Sequence, residues 1–244
     1  MSGVNYIAFP FIGGIHISGL SIFNSTGSPS TSSAISFMGI NRLLLKNMVV
    51  LGFVDNIVLD TCNTVLLDTV LSRTSTGDGV TCSDVLNSVI VLSGMANNTG
   101  NGLVLTGVNF GSFNIIIDQC FLSNNGSRGV NLDGGTFVVN FTNTIIEYNV
   151  DLGIRSTNSV SNILVDQCNI DNNDEGAIFA GERNTVTACI ITNCTARGIQ
   201  TGDRGLITGN HVASNGTIGI DMGSDTNNTI ISISLKESFM KPEG

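Results

Sequence analysis

Between residues 102 and 228 the chain repeats one short unit. Each copy opens on a small residue and an apolar one, then has an outward-type residue and a further apolar or small one. The copies are Gly129-Val130-Asn131-Leu132, Gly153-Ile154-Arg155-Ser156, Ala177-Ile178-Phe179-Ala180, Gly198-Ile199-Gln200-Thr201 and Gly219-Ile220-Asp221-Met222. They begin at 129, 153, 177, 198 and 219, in steps of 24, 24, 21 and 21 residues. A near-constant period of that size marks a stack, because one such unit cannot bury its own apolar face and successive units bury it against each other.

Within a copy the apolar residues alternate at period two, as in strands. Runs such as Asn114-Ile-Ile-Ile-Asp118 and Asn162-Ile-Leu-Val-Asp166 are separated by polar corners, for example Ser123-Asn-Asn-Gly, Asp171-Asn-Asn-Asp and Ser214-Asn-Gly-Thr. Asn, Asp, Gly and Thr are turn residues. Each copy therefore supplies three short strands and three corners. Wound into a coil, each strand pairs in parallel with its equivalents above and below, at ~4.8 Å per coil. The expectation is an all-β solenoid of about nine to ten coils, with corner asparagines hydrogen-bonding from coil to coil as in stacked amide ladders. No amphipathic helix pattern is present. The divisions expected are a cap or partial coil at 1–13, the solenoid at 14–231, and a tail or cap at 232–244. A polar excursion is expected at 24–33.

Composition narrows the partners. Charged residues make up only 12% of the chain, about half the usual share. The net charge of −9 excludes a nucleic-acid footprint, which needs clustered Lys and Arg. No apolar run is long enough to span a bilayer. No signal peptide is visible in Met1-Ser-Gly-Val-Asn, which leaves cytoplasmic synthesis, another export route, delivery in a virion, or a piece of a longer protein. The cysteines (Cys62, Cys82, Cys120, Cys168, Cys189 and Cys194) lack the paired spacing of a zinc site. They read as small buried thiols. Asp60-Thr-Cys62, Asp118-Gln-Cys120 and Asp166-Gln-Cys168 share a local context and so are expected on the same rung of successive coils.

The recurring pattern Asn-x-Ile-x-Val-Asp-x-Cys-x-Ile-x-x-Asn-x-x-x-Gly-Ile resembles the right-handed parallel β-helix superfamily, the pectate-lyase-like fold. The resemblance covers about residues 14–231. It implies a right-handed parallel β-helix. It is specific for fold and not for function, since that superfamily includes polysaccharide lyases, hydrolases, epimerases, phage tailspikes and non-catalytic surface proteins. The polygalacturonase motifs Asn-Thr-Asp, Asp-Asp, Gly-His-Gly and Arg-Ile-Lys are absent, and neither His16 nor His211 lies in Gly-His-Gly. A lyase scheme would use carboxylate-held calcium and an Arg or Lys base. Lys is missing from 47 to 235, so that base would be an Arg, and calcium enters only under this alternative. No other cofactor or metal is implied.

Mixed charge concentrates in one part of this charge-poor chain. Gly181-Glu182-Arg183 and Gly202-Asp203-Arg204 are 21 residues apart and are expected to lie one above the other. Glu182, Arg183, Asp203 and Arg204 are the candidates for catalysis. Arg155, Phe179, Gln200 and Asp221 are expected at the outward position of the first strand, with Arg197 just ahead of one such strand, and these five are the candidates for saccharide contact. Against this stands a ladder of surface ion pairs, each worth little. Three readings follow. One is a structural or adhesive module of a virion fibre, tailspike or cell-surface protein, extracellular or virion-associated, contacting polysaccharide or surface glycan and forming homo-oligomers, with a trimer implied by the tailspike resemblance. The alternative is a polysaccharide lyase or glycoside hydrolase acting in a groove along the rod. The third is a fragment of a larger β-helix protein.

Overall fold

The computed structural model describes residues 14–24, 31–109, 111–222 and 227–236. The expected cap at 1–13, most of the excursion at 24–33 and the last eight residues of the expected tail lie outside them. The described residues contain strands, turns and no helix. Every paired strand runs parallel to its neighbour, one coil on. Nine strands form sheet 1, from Ile35–Met38 through Val130–Leu132 and Leu152–Ser156 to Glu175–Phe179, Arg197–Gln200 and Ile218–Asp221. These nine rungs enclose about eight full turns, a stack roughly 40 Å long.

The other two faces of each coil belong to one continuous 18-stranded sheet. They join because Asn41–Leu51 and Asn63–Arg73 run round the corner unbroken. In later coils the same corner divides two strands, as between Ser161–Asp166 and Asn169–Asp171. The corner is made by a left-handed residue that recurs coil after coil: Asn47, Thr69, Leu92, Gln119, Asn143, Gln167 and Ala188 all have φ between 48° and 57°. The strand Ser234–Lys236 pairs with His211–Ala213, so the coil pattern continues beyond Ile231.

Inward side chains stack in columns. One sheet 1 column runs Ile35, Ile57, Val80, Leu103, Val130, Ile154, Ala177, Ile199, Ile220. The next runs Leu105, Leu132, Ser156, Phe179. Phe179 is wholly buried and pairs in register with the small Ser156. All six cysteines are free and buried.

Glycine sets the register of sheet 1. A Cβ on Gly153 would lie 2.8 Å from the Gly176 carbonyl oxygen, and one on Gly176 only 2.2 Å from that of Gly198. Side chains are excluded where the coils approach so closely. The third copy therefore starts at Gly176, not Ala177, and the steps from 129 become 24, 23, 22 and 21.

Amide ladders bind the corners. Asn98, Asn125, Asn149 and Asn173 stack inside the coil, all at most 2% exposed. Asn125 Nδ2 donates to Asn149 Oδ1 at 2.9 Å, and Asn149 Nδ2 donates to Asn173 Oδ1 at 2.9 Å. Cys194 interrupts the column, and its backbone N–H donates to Asn215 Oδ1 at 3.0 Å. The shared Asp-x-Cys context misplaces one thiol. Cys62 follows a sheet 1 strand, at the corner that Val85 occupies one coil on, whereas Cys120 and Cys168 follow second-face strands. The same three letters serve two different corners, because both corners need a turn residue followed by a small buried one.

Candidate functional site

Sheet 1 turns one face to solvent, and its lower half carries the charge. The outward column runs Asn131, Arg155, Ile178, Gln200, Asp221. Phe179, expected in this column, is the inward neighbour of Ser156 and contacts nothing outside the core. The one-residue error follows from starting the copy at Ala177, since a one-residue slip exchanges the two faces of a strand. Ile178 holds the outward place.

Beside this column lies the edge that precedes each glycine, where Arg128, Leu152, Glu175 and Arg197 stack. Arg197 is tied down there. One of its terminal nitrogens lies 3.2 Å from Glu175 Oε1 and donates to Gln200 Oε1 at 3.1 Å, and its Nε lies 3.4 Å from Asp221 Oδ2. Arg128 Nε sits 2.9 Å from Asp151 Oδ2. Glu175 is pushed above its ordinary value of 4.5 chiefly by burial; Arg197 opposes this, and Asp174, Asp151 and Asp221 reinforce it.

Between these columns and the next corner lies an open concavity of about 720 Å³. Its walls are Asp133, Leu152, residues 155–159, Glu175, Ile178, Ala180 and Gln200. Arg155 lies within it. Its guanidinium donates to Asn131 Oδ1 at 3.3 Å and, among the described residues, has no carboxylate within 4.0 Å. Asp133 is held at the far wall, accepting from Thr157 Oγ1 at 2.9 Å and the Gly134 N–H at 2.8 Å.

The four catalytic candidates stand elsewhere. Glu182, Arg183, Asp203 and Arg204 occupy the corner after sheet 1, outside the lining of the concavity. They do stack. The Arg183 N–H donates to the Asp203 carbonyl at 2.9 Å, Arg183 and Arg204 share left-handed φ values of 56° and 58°, and an Arg204 terminal nitrogen donates to Glu182 Oε2 at 3.1 Å. Both members of that ion pair are half exposed, where such a pair contributes little.

So Arg155 and Gln200 face the concavity, Arg197 and Asp221 are engaged with each other at its edge, and the 182–204 group lies apart. Asp133 and Glu175 complete the walls and were not among the candidates. Glu175 lies just ahead of its strand, in the column of Arg128 and Arg197, a placement readable from the sequence although no role was assigned to it. Asp133 has no such signal. Among the described residues no group of three His, Cys, Asp or Glu side chains is placed to hold a metal ion, and no helix is long and apolar enough to cross a membrane.

Comparison with known proteins agrees with this architecture. A family model described as "Right handed beta helix region" matches residues 106–236. A search of curated proteins by sequence gives no match. Among solved structures, the A-module of the Azotobacter vinelandii mannuronan C-5 epimerase AlgE4 superposes with a TM-score of 0.63 at 12% identity, covering 92% of this chain and 75% of that one. PfbA, a surface adhesin of Streptococcus pneumoniae, gives 0.54 at 9% identity over 88% and 77%. ORF18 of Geobacillus virus E2 gives 0.57 at 13% identity over 91% and 52%. At these identities the likeness is one of fold.

Proposed function

Since the chain belongs to the family of right-handed β-helix regions, whose fold leaves function to the outward side chains, we propose that it is a structural or adhesive rod that contacts acidic glycans through the concavity on sheet 1. The observation that carries this reading is Arg155, a cation with no carboxylate partner among the described residues, in an open, hydroxyl-lined depression. A guanidinium binds a carboxylate through two parallel N–H donors. Thr157, 158–159 and Gln200 supply donors and acceptors for sugar hydroxyls, and Ile178 an apolar floor. The similar folds include a surface adhesin, a phage protein and an epimerase of mannuronan, which supports an extracellular or virion-associated setting and a polysaccharide partner.

The same reading includes self-association. The outer face of the second strand carries an aliphatic column, Leu44, Leu66, Val89 and Ile116. Such a face suits side-by-side packing of copies, a trimer being the expected form. Light scattering tests this: a single species of three chains is expected, and a monomer at all concentrations contradicts it. Retention of the protein on acidic against neutral polysaccharide gels tests the glycan contact. Retention by acidic gels, weakened in Arg155→Ala, is expected; equal retention of both proteins by neutral gels contradicts it.

A second reading is catalytic. Glu175, its carboxyl raised by burial on the wall of the concavity, has the property required of a general acid or base. Release of unsaturated or shortened products from an acidic polysaccharide, abolished by Glu175→Gln, would establish it.

A further inference from the structure

The corner between the second and third strands holds a column of small residues: Ser93, Cys120, Thr144, Cys168, Cys189, Asn210. In this column a side chain accepts from the backbone N–H of the coil above. Asn210 Oδ1 accepts from Cys189 N–H at 2.9 Å, and Thr144 Oγ1 from Cys120 N–H at 3.3 Å. Cys189 Sγ occupies the same place beneath Cys168, 3.4 Å from its backbone nitrogen. The two thiols are thus vertical neighbours. The other four cysteines have no such partner. Thr144 separates Cys120 from Cys168, Cys62 stands above Val85, Cys82 lies between Leu59 and Leu105, and Cys194 between Asn173 and Asn215.

We propose that Cys168 and Cys189 form an intercoil disulfide when the folded protein meets a small-molecule disulfide. In-register residues of adjacent parallel strands have Cα atoms ~4.8 Å apart, inside the roughly 4.4–6.8 Å range that a disulfide spans. Cys189 Sγ accepts from the Cys168 backbone N–H, while the Cys168 S–H donates to the Asp166 carbonyl at 3.3 Å and the Cys189 S–H to the Thr187 carbonyl at 3.1 Å. Either sulfur can attack first. The thiolate of one displaces one thiol from the reagent and forms a mixed disulfide. The thiolate of the other then displaces the second thiol and closes the bond. Two protein thiols and one reagent disulfide become one protein disulfide and two reagent thiols. Both sulfurs are buried, so reaction follows local opening of the corner. The bond would tie together the coils that carry Arg155 and Glu175.

Trypsin separates the pair. Cleavage after Arg155, Arg183 and Arg197 places Cys168 on peptide 156–183, and Cys189 with Cys194 on peptide 184–197. The folded protein is incubated with oxidised glutathione, free thiols are alkylated after unfolding, and the digest is read by mass spectrometry without reduction. The expected result is the two peptides joined through Cys189 with Cys194 alkylated, the link persisting in Cys194→Ala and lost in Cys189→Ala. The oxidised protein is expected to melt about 5 °C higher than the reduced one. Both cysteines recovered alkylated, each carrying glutathione, or a link through Cys194 would overturn the proposal.

Discussion

The upper and lower halves of sheet 1 share one backbone and differ in what they show to solvent. In the upper coils the outward column reads Ser36, Val58, Thr81, Val104. In the lower coils it reads Asn131, Arg155, Ile178, Gln200, Asp221. Inward, both halves share the aliphatic column that runs from Ile35 to Ile199. The fold is thus specified by inward positions and corners, which are used eight times over. Function has the outward positions, which folding leaves free to vary, and the two are separable by mutation.

The sharpest way to break this division is to strike a corner. Asn149 Oδ1 accepts from Asn125, and its Nδ2 donates to Asn173 Oδ1 and to the Leu122 carbonyl. Asn149→Ala strands these buried partners and is expected to cost about 4 kcal/mol in chemical denaturation. Arg155→Ala, at an outward position, is expected to change stability by less than about 0.5 kcal/mol. Similar costs at the two sites would refute the separation.

A smaller effect runs the other way. Cys194 is the gap in the asparagine column, and Cys194→Asn restores a donor and an acceptor between Asn173 and Asn215. A gain of about 0.5–1 kcal/mol is expected. A loss would mean that the column tolerates the thiol for its packing and not as a missing rung.

The smallest effect concerns pH. The folded Glu175 carboxyl lies above its ordinary value of 4.5, so the folded state binds the proton more tightly than the unfolded one. Its contribution to stability is full below pH 4.5 and is lost as pH rises through the folded value. A neutral Glu175 also removes negative charge from the groove, so an acidic glycan is expected to bind more tightly as pH falls through that window. Glu175→Gln should flatten both profiles; an unchanged pH profile of binding would place Glu175 outside the contact.

The repeat made the architecture legible because burial and strand pairing act on every coil alike. Eight copies of one pattern outvote any local exception. The site was only half legible for the same reason. Arg155 and Gln200 were found by counting from a glycine, but Ala177 was counted as the start of its copy when the glycine was at 176. That shift placed Phe179 on the surface. The stacking of Arg183 on Arg204 was readable from their 21-residue spacing, whereas the depression itself was not. It depends on how far residues 157–159 stand out from the stack, and a sequence period carries no such information.

The central claim, that the groove and not the charged corner meets the glycan, is tested most directly by calorimetric titration of an oligouronate into the wild-type protein, Arg155→Ala and Arg204→Ala. The expected result is at least a tenfold loss of affinity in Arg155→Ala, about 1.4 kcal/mol, with Arg204→Ala unchanged. Loss of binding in Arg204→Ala with Arg155→Ala unaffected would contradict the account and move the site to the corner.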